Sequence, residues 1–437
     1  MRRRIFSAAA TTVVLGLLIP LAGCGGPGGS ADDDGTLRLV AAEYGDTSTN
    51  SSKDFWDKVT DDFTASNPGI KVQVEILPWA DIDREVSRMV KAGNAPDMAL
   101  MGGYSDFAAQ GKLYSAPELL SVSAEANFLQ PLADAGSVRN TLYGLPFVAS
   151  SRLLFYNEKL LTDAGVIPKD SKNGWQPKTW LDLKAAAVAL KAKGVKTPFA
   201  LPLGPEEAHA EAMIWELSNG GGYADNSGNY SLASEQNIMT FKWIKQHLVA
   251  PGLLGPTPPS QLNRADAFAA FANGEVGMLN GYPQLAHEAR NKGIKVGAVA
   301  MPVSDTLNTG QAPPNVGVAD WMMAFKQNGH RDEIGKFLDF VYRDKNLSDF
   351  AGRYHLLPST VSASRTMAGS SGMDENDQQF LNALRGAQLY PVNDPSWVII
   401  SDTIKRNIGR AVDPSGDPKA VLEEIAAKAN EAKKAAR

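Results

Sequence analysis

Carboxylate and aromatic side chains follow the first three predicted strands, at the points where those strands end. Glu43 and Tyr44 follow the first strand and Trp79 follows the second, while Tyr104 comes shortly after the third. Ligands of α/β sheets bind at the carboxyl ends of the strands. A carboxylate accepts hydrogen bonds, and tryptophan or tyrosine offers a flat apolar face with a polar tip. These residues predict a site for a polar molecule with apolar faces. Alternatively, these side chains lie in a solvated turn or pack against a helix.

The sequence motifs indicate no particular covalent chemistry. The sequence contains no Gly-x-Ser-x-Gly elbow, no His-Glu-x-x-His motif and no Walker lysine. Its five histidines are scattered and its one cysteine is committed elsewhere, so we predict no metal site and no cofactor. The 48 acidic residues leave open a glycosidase pair of carboxylates, which would lie about 5 to 10 Å apart. An exported hydrolase therefore remains an alternative.

Cys24 is the only cysteine among 437 residues, and it follows an N-terminal export signal. Residues 2–4 are three arginines, residues 8–21 are mostly apolar, and Leu21-Ala22-Gly23 precede the thiol. Such a segment is a signal peptide rather than a membrane span. The tetrapeptide resembles a bacterial lipobox, which implies removal of residues 1–23 and acylation of Cys24. An ordinary secretory signal, with Sec or twin-arginine export, is the alternative.

The composition after Cys24 indicates a flexible tether and then a globular protein. Residues 24–35 are rich in glycine and end near a run of aspartates, so they cannot bury a core. The whole chain is 43% hydrophobic and 21% charged, with a net charge of −5. Its length favours two domains. Its dispersed basic residues argue against nucleic acid, and no later stretch reaches the roughly 18 apolar residues of a membrane span.

Strands alternate with helices along the chain. Alternating Ile70, Val72, Val74 and Ile76 predict a strand, while Phe55, Val59 and Phe63 mark one face of a helix. The predicted strands are residues 37–42, 70–76, 97–101, 153–156, 294–301 and 321–325. The capping box Thr179-Trp180-Leu181-Asp182 begins a helix. This alternation predicts an α/β fold with helices packed on mostly parallel sheets.

Several short motifs stand in a fixed order between residues 36 and 430. They are the turn ending Ala95-Pro96-Asp97, Tyr143-Gly144-Leu145-Pro146, Tyr156-Asn157-Glu158-Lys159, Pro177-Lys178-Thr179-Trp180 with Leu183, the segment Phe271 to Met278, and Leu357-Pro358. Their order resembles that of the family-1 extracellular solute-binding proteins of carbohydrate ABC transporters, the group that includes maltose-binding protein.

The resemblance implies two α/β lobes that are joined by three crossovers and enclose a cleft. The first lobe is expected to comprise residues 36–149 and 298–327, and the second lobe residues 150–297 and 328–437. The crossovers are expected near residues 149–152, 296–301 and 326–330. Ligand-driven closure would then be a hinge motion.

The resemblance also implies particular ligand contacts. They are Tyr104, Ser150 at the first crossover, His209 and Glu211 before a glycine-rich loop, and Tyr282 after a strand. Alternatively, Ser150 is only a hinge residue, and His209 and Glu211 lie at an exposed helix start without contacting ligand.

Two tryptophans complete the candidate site. Trp321 lies where the family commonly has small residues, so its ring would narrow the cleft, and Trp397 is a candidate stacking platform. The predicted ligand-binding residues are Glu43, Tyr44, Trp79, Tyr104, Ser150, His209, Glu211, Tyr282, Trp321 and Trp397.

The leading hypothesis is capture of a sugar or oligosaccharide, without altering it, for import by an ABC permease with a cytoplasmic ATPase. The resemblance implies a monomer held at the extracellular face of the cytoplasmic membrane through its lipid anchor only. The same fold with a polyamine or a glycerol phosphodiester as cargo is the second hypothesis. A phosphate ligand would require a basic cleft, and a polyamine would require an acidic one.

Overall fold

The structure is a computed structural model that describes most of the chain after the predicted tether. The described residues are 36–45, 50–79, 81–225, 227–307, 313–369 and 375–435. The predicted signal peptide, the tether and Cys24 lie outside these ranges. Within the ranges, no helix is both long enough and apolar enough to cross a membrane.

Strands and helices alternate through most of the described chain. The strands are β1 Thr36–Ala42, β2 Lys71–Leu77, β3 Met98–Met101, β4 Ser137–Val138, β5 Thr141–Leu142, β6 Leu145–Ser151, β7 Leu153–Asn157, β8 Thr197–Ala200, β9 Val276–Gly281, β10 Val296–Val299, β11 Val316–Ala324, β12 Leu357–Pro358 and β13 Gln388–Leu389. The helices are α1 Ser52–Ser66, α2 Ile82–Lys91, α3 Ser105–Ala109, α4 Ala116–Leu119, α5 Val122–Glu125, α6 Gln130–Ala135, α7 Glu158–Asp163, α8 Trp180–Ala192, α9 Ala208–Leu217, α10 Glu235–Ile244, α11 Arg264–Ala272, α12 Pro283–Asn291, α13 Arg331–Val341, α14 Asp344–Arg353, α15 Val361–Ala368, α16 Glu375–Arg385, α17 Trp397–Asn407 and α18 Pro418–Ala435.

The larger sheet contains the first strands of the chain. Its described strands follow the order β12-β6-β11-β3-β1-β2, and β13 pairs with β11. β1 runs parallel to β2 and to β3, as expected for strands that are joined by helices. β11 is antiparallel to both β3 and β6 and lies between them. The carboxyl ends of β1, β2 and β3 therefore share one edge of the sheet.

The smaller sheet is built from the middle of the chain. Its described strands follow the order β10-β7-β9-β8. β6 ends at Ser151 in the larger sheet and β7 begins at Leu153 in the smaller one, so the chain passes between the sheets at Arg152. It returns between β10 and β11. Both passages lie at or next to the positions expected for the first two crossovers.

Helix α8 shows how local sequence fixes one of these elements. The backbone N–H of Thr179 donates to Asp182 Oδ2 at 3.0 Å, and the reciprocal bond completes a capping box. Inside the helix, Trp180 and Leu183 are buried against the smaller sheet's side of the core. The predicted capping box is confirmed.

Helices α13 and α14 pack on the larger sheet with α1. Phe63 of α1 meets Phe337 of α13 edge-on, with ring centroids 5.1 Å apart. Phe350 of α14 contacts Trp56 and Phe147 in the same buried cluster. Burial of rings of this size contributes about 1.5–3 kcal/mol each. The hydrophobic faces of α13 and α14 are therefore satisfied by the larger sheet.

The chain stays on the larger sheet beyond the position expected for the third crossover. That crossover was expected near residues 326–330, but the chain after β11 continues through α13 and α14 on the larger sheet. Leu357 and Pro358 of β12 then pair with Ala149 and Val148 of β6 in that sheet. An apolar stripe such as that of α13 indicates a helix, but it does not reveal which sheet the helix covers. The chain leaves the larger sheet only after β12.

Candidate functional site

A cavity of about 860 Å³ lies where strand ends of the larger sheet face helices next to the smaller sheet. We call it the main cleft. Its charged and aromatic lining residues are Glu43, Tyr44, Trp79, Asp83, Arg152, Glu206, Glu207, His209, Arg264, Tyr282, Asp320, Trp321, Tyr354, Tyr390, Trp397 and Lys405. The volume is in the range of a small-molecule site.

The main cleft brings together most of the residues predicted to bind ligand. The predicted residues that line it are Glu43, Tyr44, Trp79, Ser150, His209, Tyr282, Trp321 and Trp397. Trp79 is the most open of these predicted aromatic residues, with 41% of its surface exposed, whereas Trp321 is fully buried. Tyr104 and Glu211 do not line this cavity.

Tyr104 lies behind the wall of the main cleft. Its hydroxyl donates to the backbone carbonyl of Ala135 at 2.5 Å, and its ring packs on Trp321 with centroids 5.4 Å apart. Burial raises the pKa of the Tyr104 phenol. In this conformation Tyr104 supports Trp321 rather than facing the cavity.

Glu211 lies in a small buried pocket that also borders Arg152 and Glu207. Its Oε1 accepts hydrogen bonds from Trp215 Nε1 at 2.9 Å and from Asn280 Nδ2 at 2.8 Å. Burial raises the pKa of Glu211 to about 7, although these two hydrogen bonds act in the opposite direction. The contacts make Glu211 a buried link between α9 and β9.

Arg152 occupies the passage between the two sheets and is almost fully buried. Its Nη2 donates to Glu207 Oε1 at 2.7 Å, and its Nη1 donates to Ser150 Oγ at 2.9 Å. The guanidinium also stacks over the Tyr282 ring, 4.5 Å from the centroid. Burial favours the neutral form of Glu207, but Arg152 and Arg264 outweigh it and lower the pKa of that carboxyl. The positive charge of Arg152 is therefore balanced within the protein by the Glu207 carboxylate.

Arg264 is the second arginine of the main cleft, and carboxylates balance its positive charge as well. Its Nε lies 2.6 Å from Glu207 Oε2, and its Nη2 forms an ion pair with Glu206. Its Nη1 donates to the Tyr282 hydroxyl at 2.5 Å. Two carboxylates thus balance the charges of two arginines, so an anionic ligand would have to compete with Glu206 and Glu207 for them.

Asp320 faces the opposite side of the main cleft. The Tyr44 hydroxyl donates to its Oδ2 at 2.9 Å. Burial raises the pKa of Asp320 to about 7, with the Tyr44 hydrogen bond acting in the opposite direction. The Tyr44 ring meets Trp79 edge-on at 5.3 Å and Tyr354 at 5.6 Å. A carboxylate and three aromatic rings therefore form one corner of the site.

A second aromatic group lines the main cleft at α17. The rings of Trp397 and Tyr390 are stacked, with centroids 5.6 Å apart and planes inclined by 20°. The imidazole of His209 packs against Tyr390 at 4.9 Å, and Tyr223 packs against Trp397 at 5.7 Å. This stack presents an extended apolar surface to the cavity.

Four residues of the main cleft have a buried polar atom that forms no hydrogen bond among the described residues. One is Arg264 Nε, which still lies against the Glu207 carboxylate, and the other three atoms are His209 Nδ1, Trp321 Nε1 and the Tyr390 hydroxyl. Burial lowers the pKa of His209 to about 3, so its ring is neutral at pH 7. A buried polar group without a partner is costly, and a bound ligand is one way to satisfy it.

Several residues that shape the site were not predicted from the sequence. These residues are Arg152, Glu206, Glu207, Arg264, Asp320, Tyr390 and Lys405. Arg152 lies within the expected first crossover, and Asp320 directly precedes Trp321, so position in the chain was an available signal for both. The Glu206–Arg264 pair joins residues 58 positions apart, and no local pattern indicates it.

A second cavity of about 1250 Å³ meets the main cleft at Leu389 and Tyr390. Its lining includes Arg139, Arg385 and Lys433 but none of the ten predicted ligand residues. The main cleft is therefore the better candidate for the functional site.

Known proteins with similar sequences match most of the chain. A protein from Brucella abortus described as a binding protein is 26% identical over 407 residues, which cover 92% of this chain and 94% of that protein. The lactose-binding protein of Rhizobium radiobacter is 22% identical over 64% of this chain and 65% of its own length.

Among solved structures, the cyclic alpha-maltosyl-1,6-maltose binding protein from Arthrobacter globiformis superimposes with a TM-score of 0.75 at 16% identity. The match covers 92% of this chain and 99% of that protein, so the two share the two-lobed α/β fold. Residues 46–347 match the profile of the family described as "Bacterial extracellular solute-binding protein". That family consists of solute-binding proteins rather than enzymes. This chain belongs to the bacterial extracellular solute-binding protein family.

Proposed function

We propose that this protein captures a saccharide in the main cleft and delivers it unchanged to an ABC permease that is driven by a cytoplasmic ATPase. The observation that carries the proposal is the pairing of the Trp397–Tyr390 stack with buried polar atoms that lack partners. The names of the lactose-binding and maltosyl-maltose-binding relatives support the same class of cargo.

The chemistry of a sugar fits both parts of this surface. The C–H faces of a pyranose are apolar and pack on aromatic rings, and its hydroxyls donate and accept hydrogen bonds. Tyr390 supplies both kinds of contact, because its ring belongs to the stack and its hydroxyl has no partner among the described residues. Neutral His209 can accept or donate without adding charge.

A phosphate-bearing cargo is disfavoured by the state of the two arginines. Arg152 and Arg264 are paired with Glu206 and Glu207 and would have to exchange these partners for the ligand. Leaving a buried charge without its partner costs about 3–5 kcal/mol, and Arg152 is the buried member of this group, with 6% of its side chain exposed. The only other lysine or arginine that lines the described main cleft is Lys405. A glycerol phosphodiester is therefore the weaker alternative.

The lobes, in this proposal, are built around the two sheets and close on the ligand as a monomer. The expected ranges were 36–149 with 298–327 for the first lobe and 150–297 with 328–437 for the second. We transfer residues 331–358 to the first lobe because they pack on the larger sheet. Arg152 stands at the first crossover, so its contacts with Ser150, Glu207 and Tyr282 connect the two lobes directly.

We propose the cellular location of the protein from its N-terminal sequence. We infer that Cys24 carries lipid and holds the mature protein at the extracellular face of the cytoplasmic membrane. Stable anchoring requires two acyl chains, which a diacylated cysteine supplies. Residues 24–35 would then act as the tether between the membrane and the globular part.

Calorimetry on protein that begins after Cys24 tests the cargo. We expect heat from at least one of lactose, maltose and cellobiose, with no products in chromatography of the mixture afterwards. Spermidine and glycerol 3-phosphate serve as the competing cargoes. Binding confined to either of them, or turnover of a sugar, would contradict the proposal.

Tyr390→Phe sharpens the test because it removes only the unpartnered hydroxyl. We expect sugar affinity to fall by about 0.5–1.5 kcal/mol, as for the loss of one hydrogen bond. The free energy of unfolding should not fall, since the hydroxyl bonds to no described residue. Tyr114→Phe, outside the main cleft, is the matched control and should bind as the parent does.

A further inference from the structure

One corner of the main cleft combines carboxylates with aromatic rings. Glu43, Asp83 and Asp320 line it from β1, α2 and β11. Tyr44 lies beside Asp320 through their 2.9 Å hydrogen bond, and Trp79 and Tyr354 pack on Tyr44. Aromatic faces attract cations, most strongly where water is excluded.

The carboxylates of this corner differ in the hydrogen-bond and charged partners that they already have within the protein. Glu43 Oε1 accepts hydrogen bonds from the backbone N–H groups of Gly45 and Ser52 at 2.8 and 2.7 Å. Glu43 therefore stabilises the start of α1. Lys405 acts on Asp83 and lowers its pKa, although burial raises it overall to about 6. Asp320 accepts the Tyr44 hydroxyl and forms no ion pair with any described residue.

The balance of charge across the whole main cleft is negative. Among its described lining residues, Glu43, Asp83, Glu206, Glu207 and Asp320 are opposed by Arg152, Arg264 and Lys405. The two arginines form ion pairs with Glu206 and Glu207. Arg152 also acts on Asp320 from a distance, but its own hydrogen bonds go to Glu207 and Ser150. Asp320 is therefore the carboxyl of this corner whose described side-chain partner is a phenol, and a cation bound beside it would favour its charged form.

We propose that the saccharide bound by this protein carries a free, protonated amine, which binds between Asp320 and the rings of Tyr44, Trp79 and Tyr354. This inference rests on the proposed function and narrows its cargo to amine-bearing sugars. The ammonium supplies hydrogen-bond donors and a positive charge to a carboxylate that has only a phenol as partner. A hydroxyl at the same position supplies no charge, and an N-acetyl group adds bulk without charge.

Matched pairs of sugars test the proposal by calorimetry at pH 7. The pairs are glucosamine with glucose, galactosamine with galactose, and chitobiose with cellobiose, which differ only in amine against hydroxyl. We expect the amine form of the best-bound pair to bind about tenfold or more tightly, as for a charge-assisted hydrogen bond. N,N′-diacetylchitobiose should lose the advantage that chitobiose has over cellobiose.

Asp320→Asn assigns the preference to one carboxylate. It keeps the shape of the side chain, and we expect it to narrow the difference between the amine and hydroxyl forms to about twofold. Asp54→Asn, on a surface helix outside the main cleft, should leave the difference unchanged. An unchanged preference in the Asp320 variant would overturn the assignment.

The outcomes separate this inference from the proposed function. Sugar binding without preference for the amine in any pair overturns the inference and leaves sugar capture standing. No binding of any sugar, amine-bearing or not, overturns both. Spermidine binding as strongly as the best amino sugar also overturns the inference, because the hydroxyl-bearing ring would then contribute nothing.

Discussion

Glu216 is buried in α9 without compensation, and its removal should make the protein more stable. The side chain is fully buried, and neither carboxyl oxygen has a hydrogen-bond partner among the described residues. Burial raises the pKa of Glu216 well above 4.5. The folded protein therefore keeps this proton at pH values at which the unfolded chain has released it. Glu216→Gln preserves the shape and removes the ionisation.

The magnitude follows from proton linkage. Because the unfolded state binds fewer protons above about pH 4.5, the free energy of unfolding contributed by Glu216 falls as pH rises toward its folded pKa. The slope is about 1.4 kcal/mol per pH unit for one proton. Between pH 5.5 and 6.5 we therefore expect the advantage of Glu216→Gln over the parent protein to grow, with about 1.4 kcal/mol as the upper bound for one proton.

Denaturant unfolding at these two pH values, followed by tryptophan fluorescence, measures the difference. Glu211, Asp83 and Asp320 also have raised pKa values, but they are common to both proteins and cancel in the comparison. Glu75→Gln is the matched control, because Glu75 is exposed on β2. Unfolding curves of Glu216→Gln and parent that keep a constant separation across this range would refute the reasoning.

Four further outcomes are expected. Trp397→Ala should weaken sugar binding by more than about 1 kcal/mol in calorimetry, through loss of its stacked ring; normal affinity would remove Trp397 from the site. Trp321→Ala should instead lower the free energy of unfolding by about 3–5 kcal/mol, because the ring is fully buried; an unchanged denaturation midpoint would contradict this. Arg152→Met should lower the free energy of unfolding by about 1.5–3 kcal/mol, because Glu207 loses one charged partner and keeps only Arg264, whereas Arg152→Met with Glu207→Leu should recover much of that loss in the same assay. Cys24→Ser should release the protein from membranes into the medium and abolish labelling by a palmitate analogue, and retention of either property would contradict lipid anchoring.

Elements with a strong local pattern could be predicted from the sequence. The alternation from Ile70 to Ile76 predicted β2, which spans Lys71–Leu77, and the capping box at Thr179 predicted the start of α8. These patterns depend on neighbours within a few residues. The assignment of α13 and α14 to a sheet depends instead on contacts with Phe63 and Phe147, which lie about two hundred or more residues away.

The candidate site could be predicted only in part for the same reason. Strand ends pointed to Glu43, Tyr44 and Trp79, since topology brings such ends to one edge. The pairing of Arg264 with Glu206 and the hydrogen bond from Tyr44 to Asp320 arise from the fold as a whole. Ion pairs between distant segments leave no signal in a single sequence.

The position of β11 in the larger sheet has a consequence for biosynthesis. β6 is joined to β3 only through β11, which is completed at Ala324. The four strands of the smaller sheet, by contrast, all lie between Leu153 and Val299 without interruption by strands of the other sheet. On a chain that emerges from its N-terminus, the smaller sheet can be completed first, while β3 waits for its late neighbour β11. The sheet that contains the oldest part of the polypeptide is therefore the last to be completed.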